Sequence, residues 1–182
     1  MYEASNKVVV VTTSGEAIGS AEKYQAHVNG VLHLAFSVII IRGAGEATEL
    51  MLQKRAKNKY HTASLWSNTC CSHPFPGEKM ETAIQRRLGE ELGIHQQLQF
   101  TKLAELSYRL PLENGMTEHE YNHIYCCENV IESVALNPQE VADIRWERIS
   151  NIKDDLKTHP HRYTPWFKYV LTALCESLAH KN

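Results

Sequence analysis

From residue 78 to residue 92, Met80, Ala83, Ile84, Leu88 and Leu92 recur at the spacing of one helical face, and Gly93 follows as a stop signal. Most other apolar runs are short, rich in β-branched or aromatic residues, and bounded by Gly, Pro, Asn or Ser. One strong amphipathic helix is thus set among short strands. This pattern predicts a mixed α/β (α+β) chain in which sheet dominates. Strands are expected at residues 8–12, 33–41, 49–55 (the hairpin partner of 33–41 across Gly43 and Gly45), 65–71, 100–110, 120–127 and 145–149. Residues 22–27 fit a short helical turn, and 57–64 a polar loop. Thr164 suits an N-cap with Pro165 at the first helical position, and Trp166, Phe167, Val170, Ala173, Leu174 and Leu178 form the apolar stripe of a last helix. The sequence shows no internal repeat, and 182 residues fit one domain spanning 1–182.

Charged residues make up 22% of the chain, and the formal net charge is -2. No bulk cationic field exists to attract nucleic acid or an anionic membrane, so any anion must be bound locally. Five cysteines, with Cys70-Cys71 and Cys126-Cys127 adjacent, make a poor disulfide framework and point to reduced thiols. Residues 1–7 lack the basic start of a signal peptide, and no apolar stretch nears the ~18 residues of a membrane span. A cytoplasmic protein is expected.

The segment Arg86-Arg87-Leu88-Gly89-Glu90-Glu91-Leu92-Gly93-Ile94 resembles the end of a Nudix box, the loop-helix-loop that binds metal and diphosphate. With Glu78 as its first acidic position, Ser72 stands where Gly is usual and Arg87 replaces a Glu of the hydrolase signature. Elsewhere Trp66-Ser67-Asn68-Thr69-Cys70-Cys71-Ser72-His73-Pro74 resembles the active-site segment of type I isopentenyl-diphosphate isomerases. Lys23 to His27, Leu32 to Ser37, Arg55-Ala56 with Lys59, Tyr108, Glu118-His119-Glu120 and Thr164-Pro165-Trp166 follow in that family's order. The resemblance covers residues 20 to 170 and implies a Nudix-like mixed β-sheet sandwich flanked by helices. The loop Tyr60-His61-Thr62-Ala63-Ser64-Leu65 departs from it, lacking the Pro-Gly that the family often has there.

The resemblance implies a metal-dependent 1,3-allylic rearrangement between isopentenyl and dimethylallyl diphosphate. Cys71 and Glu120 would serve as acid and base in either assignment, and Tyr108 would hydrogen-bond Glu120. Trp166 would steady a carbocation with its indole face, an effect worth about 2 kcal/mol or more when desolvated; its ordinary alternative is packing in the last helix. His27, His33 and His73 offer imidazole nitrogens, and Glu118 and Glu120, two apart on an extended segment, point to one side. With Cys71 counted among the metal-facing groups, this set suits Mn²⁺, Zn²⁺ or Mg²⁺. A second, diphosphate-bound Mg²⁺ is assigned by the resemblance to Glu91, and Lys23, Arg55, Lys59 and Arg87 form a local cationic clamp. The remaining seven histidines, His61 included, are expected to be structural or superficial, and Cys70, Cys126, Cys127 and Cys175 to be core thiols. Two rivals remain: a Nudix hydrolase of nucleoside diphosphate-linked substrates, against which Arg87 argues, and a binding module without chemistry, against which Cys71 with Glu120 argues.

Overall fold

The computed structural model describes residues 6–180; residues 1–5, the larger part of the N-terminal segment read above, lie outside the described residues, as do 181–182. In chain order the elements are β1 (Lys7–Val11), β2 (Ala17–Glu22), α1 (Lys23–Asn29), β3 (His33–Arg42), β4 (Glu49–Arg55), β5 (Trp66–Ser67), β6 (Cys70–Ser72), α2 (Met80–Leu92), β7 (Thr101–Pro111), β8 (Thr117–Cys127), β9 (Val141–Arg148), α3 (Ile149–Thr158) and α4 (Phe167–Ala179).

The long strand β3 organises the rest. Along one edge it runs parallel to β8, from His33 opposite Glu120 to Ile40 opposite Cys127. Its other edge meets β1 at Val10 opposite His33, then β6 at Phe36 to Val38. β7 extends this sheet beyond β8, and β2 beyond β1. At Ile41 and Arg42 the strand crosses to a second group, pairing with β4, which also pairs with β5 and β9.

Alternation along the strands sorts their side chains into two buried layers. Ile39, Ile41, Leu50, Leu52, Ile124 and Cys126 face α3 and α4 with Phe167, Val170 and Leu174. Phe36, Val38, Ile40, Met51, Tyr125 and Cys127 face α2 with Ala83, Ile84, Leu88 and Leu92. The sheet is therefore covered on both faces, which accounts for the nearly continuous apolar run from Phe36 to Ile41. Helix α2 ends where Gly93 turns left-handed at φ 64°, its N–H bonded to the Gly89 carbonyl; a Cβ there would lie 2.7 Å from the Ala135 carbonyl oxygen.

Several elements differ from expectation: the strand expected at 65–71 is interrupted between β5 and β6, and the one expected at 145–149 runs from Val141 to Arg148, with Ile149 opening α3. β2 is absent from the sequence pattern because Ala17 to Ser20 are exposed; it exists through its ladder with β1. α3 carries weak helix formers and is held by buried Ile149 and Ile152. Thr164 does not cap the last helix, which begins at Phe167. Its N–H bonds the Trp66 carbonyl at 2.9 Å and its hydroxyl meets Ser67 Oγ at 2.9 Å, so this segment is tied to β5 instead. No helix among the described residues is long and apolar enough to cross a membrane.

Candidate active site

Five acceptor groups converge where α1, the start of β3, the chain after β6 and β8 meet. His27, His33, His73 and Glu118 each offer a ligand atom, all within 4.8 Å of one another. Glu120 adds Oε1, 3.0 Å from His73 Nε2 and 4.0 Å from His33 Nε2. The elements explain the placement. Glu22 caps α1 by accepting from the backbone N–H groups of Tyr24 and Gln25, which orients the helix so that His27 faces inward. Alternation on β8 buries Glu118, Glu120, Asn122 and Ile124 on one face and leaves Tyr121 and His123 on the other.

The tautomers identify what this cluster is built to hold. His27 Nδ1 donates to the Lys23 carbonyl at 2.7 Å and His33 Nδ1 to the Val31 carbonyl at 2.8 Å. When neutral, each ring then presents a bare Nε2 lone pair; His27 Nε2 lies 3.0 Å from Glu118 Oε1, where only a proton or a cation can bridge the two, and His33 Nε2 lies 3.2 Å from His73 Nε2. Acceptors turned toward acceptors at hydrogen-bond distance repel unless a cation or proton sits between them. His73 Nδ1 is itself buried without a partner. Burial lowers the His33 pKa to about 4 and drives that of His73 well down, whereas at His27 the opposing effect of burial is outweighed by the Glu118 hydrogen bond and charge, which raise it. Nitrogen and carboxylate donors in this number fit a divalent metal ion.

Beside the cluster lies Cys71. Its thiol donates to Asn68 Oδ1 at 3.1 Å and lies 3.5 Å from Ser37 Oγ; Asn68 is fixed in turn by donating to the Val38 and Cys70 carbonyls, each at 3.0 Å. Burial pushes the Cys71 pKa up to about 11, against the lowering effect of Ser37 and Asn68. The neighbouring Cys70 points to the other layer of the sheet, as strand alternation requires. Tyr108 donates to Glu120 Oε2, an oxygen that also accepts from Asn122 Nδ2 at 3.0 Å. Trp166 lines the same cavity, with the Arg55 guanidinium 5.5 Å from its ring centroid and its indole N–H near enough to the Cys71 thiol to oppose the rise in that thiol's pKa.

The cationic residues collect at one side. Lys23, Arg55, Lys59 and Arg87 line the cavity together with Cys71, Glu118, Glu120 and Trp166. Burial, with the Arg87 and Lys59 charges, lowers the Lys23 pKa to about 8. Arg87 bonds Glu90 at 2.7 Å, Glu91 at 2.6 Å and Glu140 at 3.3 Å, and Lys59 also pairs with Glu140. Arg55 is occupied by the loop, donating to the Thr62 and His61 carbonyls at 3.2 Å each.

Glu91 stands apart from the histidine cluster. It is buried, held by Arg87 and by Gln53 Nε2 at 2.9 Å, and it is absent from the cavity lining. His61 is the clearest correction to the sequence expectation. Instead of lying at the surface it is buried, stacked on His27 at 5.3 Å and set edge-on to Trp166 at 6.1 Å. Burial lowers its pKa to about 3. Its position in a polar loop carried no signal, since only folding of residues 57–64 over the site brings it inward. Asn122 and Ser37 were also missed; Asn122 was recoverable, being two residues beyond Glu120 on the same strand face.

Comparison with known proteins decides the lineage. The NUDIX domain family matches residues 31–167. The isopentenyl-diphosphate Delta-isomerase of Aliivibrio fischeri strain MJ11 is 47% identical over 177 residues, covering 96% of this chain and 98% of its own. The chain belongs to the isopentenyl-diphosphate Delta-isomerase family. A second isopentenyl-diphosphate Delta-isomerase, from Halorhodospira halophila, is 41% identical over 169 residues, covering 90% of this chain and 92% of its own. Among solved structures, a Deinococcus radiodurans protein superposes with a TM-score of 0.71 at 13% identity, covering 91% of this chain and 97% of that one. The MutT protein of Methanosarcina mazei gives 0.62 at 17% identity, covering 83% and 95%. These two likenesses establish the Nudix fold, in agreement with the expected mixed sheet flanked by helices.

Proposed function

We propose that this protein interconverts isopentenyl diphosphate and dimethylallyl diphosphate as a single-domain cytoplasmic enzyme, by adding a proton to one end of an allylic unit and removing one from the other. The observation that carries the proposal is the meeting of Cys71, Glu120 and Trp166 in one cavity beside His27, His33, His73 and Glu118, groups able to hold a metal ion, and a set of four cations.

An unactivated alkene is a weak base, so protonation needs a positioned acid and a site that keeps water from the cation. Cys71, held by Asn68, and Glu120, held by Tyr108 and Asn122, each have one polar atom set by neighbours. One donates to the terminal alkene carbon while the other accepts from the carbon nearer the oxygen, and the reverse reaction exchanges their roles. The Trp166 indole face stabilises the tertiary cation between the two transfers. A Mn²⁺, Zn²⁺ or Mg²⁺ ion bound by His27, His33, His73, Glu118 and Glu120 would supply a fixed positive field that orients the Glu120 carboxylate. Lys23, Arg55, Lys59 and Arg87 hold the diphosphate by charge-assisted hydrogen bonds. We also propose Glu91 as a ligand of a Mg²⁺ carried by the diphosphate, which requires it to exchange its bond with Arg87 for that ion.

The test is incubation with isopentenyl diphosphate and a divalent metal in D₂O, followed by NMR. Dimethylallyl diphosphate with deuterium in a methyl group is the expected result. Absence of product from protein loaded with metal would refute the proposal.

A further inference from the structure

The cavity that holds Cys71, Glu120 and Trp166 has a volume of about 50 Å³, and the adjoining cleft against Lys7, Arg86 and Arg87 about 150 Å³. Both are well below the roughly 300 Å³ at which ordinary ligand sites begin. The roof is the loop of residues 60–64. Tyr60 and His61 line the cavity, His61 lying over His27 and beside Trp166. The loop is bent into a conformation its own residues disfavour, with φ 48° at Thr62 and 63° at Ser64. A left-handed backbone is a genuine outlier for a β-branched threonine, so something outside the loop must hold it.

That restraint comes from the turn between β7 and β8. Glu113 Oε1 accepts the Thr62 N–H at 2.5 Å, and Asn114 Nδ2 donates to the Tyr60 carbonyl at 3.5 Å. From inside, Arg55 holds the Thr62 and His61 carbonyls with its Nε and one Nη2 hydrogen. A guanidinium has five N–H donors, so three remain to face a diphosphate while the loop stays bound.

Resting on the isomerase function proposed above, we propose that residues 60–64 are a lid over the reacting carbons and that Glu113 is the positioning residue that keeps it shut. Admission of substrate breaks the Glu113 to Thr62 hydrogen bond. Its re-formation returns His61 and Tyr60 over the site, and Arg55 couples closure to the bound diphosphate. The shut lid protects the tertiary cation. With the lid loose, a water oxygen bonds to that cation and loses a proton to the base, and the net result is hydration of the alkene to a tertiary-alcohol diphosphate.

The experiment compares the full-length, metal-loaded wild type with Glu113→Ala and Glu113→Gln by amide hydrogen exchange without substrate, and by steady-state kinetics with NMR of the products. Loss of one charge-assisted hydrogen bond should speed exchange in residues 60–64 of Glu113→Ala by about tenfold, with exchange elsewhere unchanged. It should also lower kcat/KM by a similar factor and produce the hydrated diphosphate. Glu113→Gln, whose amide oxygen still accepts the Thr62 N–H, should restore most of both. Unchanged exchange or unchanged kinetics in Glu113→Ala, loss of its bound metal, or a Glu113→Gln as impaired as Glu113→Ala would each overturn the proposal. A wild type without isomerase activity would refute the proposed function, while the exchange data would still decide whether Glu113 closes the loop.

Discussion

Removing the metal and returning it should move the melting temperature by an amount that the donor set fixes. Three imidazoles and two carboxylates are preorganised in the folded chain and scattered in the unfolded one, so an ion stabilises only the native state. At a free ion concentration one hundred times Kd the linkage is about 2.7 kcal/mol. For a chain of this size each kcal/mol raises Tm by about 2–4 °C, so chelator-stripped protein should gain about 5–11 °C on saturation with Mn²⁺. His33→Ala removes one donor. If it weakens binding by about a hundredfold, the same concentration equals its Kd and leaves about 0.4 kcal/mol, a shift of about 1 °C. His119→Ala serves as the control: it adjoins Glu118 and Glu120 in sequence, but its ring is directed to the Gly30 carbonyl at 2.9 Å. The assay is differential scanning calorimetry of stripped protein against added Mn²⁺, Zn²⁺ and Mg²⁺. A melting temperature insensitive to all three ions, or a His119→Ala that loses the shift as His33→Ala does, would exclude a metal site built from these five side chains.

Cys71→Ala should lower turnover by about 10²–10⁴-fold while keeping the metal-induced Tm shift, measured by the same NMR and calorimetry; retained turnover would remove Cys71 from proton transfer. Trp166→Leu should lower kcat by about thirtyfold, corresponding to a lost cation interaction of about 2 kcal/mol, with little change in KM. Gly93→Ala should cost about 1–2 kcal/mol for the left-handed conformation alone and more through the approach to the Ala135 carbonyl, visible as a lower urea midpoint. Nucleoside diphosphate substrates should release negligible phosphate in a colorimetric assay, because Arg87, where a hydrolase places a carboxylate, is bound to Glu90, Glu91 and Glu140.

Features encoded by local periodicity could be read from the residues alone. Helix α2 was legible to within two residues at its start, because its apolar face and terminal glycine are written in adjacent turns. The strands carrying His33 and Glu120 were legible because alternation is a property of the strand itself, although β8 begins at Thr117 and so takes in Glu118 ahead of the expected start at 120; the same alternation separated Cys71 from Cys70. The grouping of His27, His33, His73, Glu118 and Glu120 followed from motif order, and the folded chain brings all five together.

Features that depend on distant partners emerge from the assembled fold. β2 is an exposed segment that becomes a strand through pairing with β1, and Thr164 leaves a helix-capping role because Trp66 and Ser67 bind it more than ninety residues away in sequence. His61 is drawn into the site by Arg55, and its neighbour Thr62 is fixed by Glu113 from a turn fifty-one residues further along. Local propensity is set by neighbours in the chain, whereas the closing of that loop is set by hydrogen bonds whose partners meet only after β3, β7 and β8 have assembled.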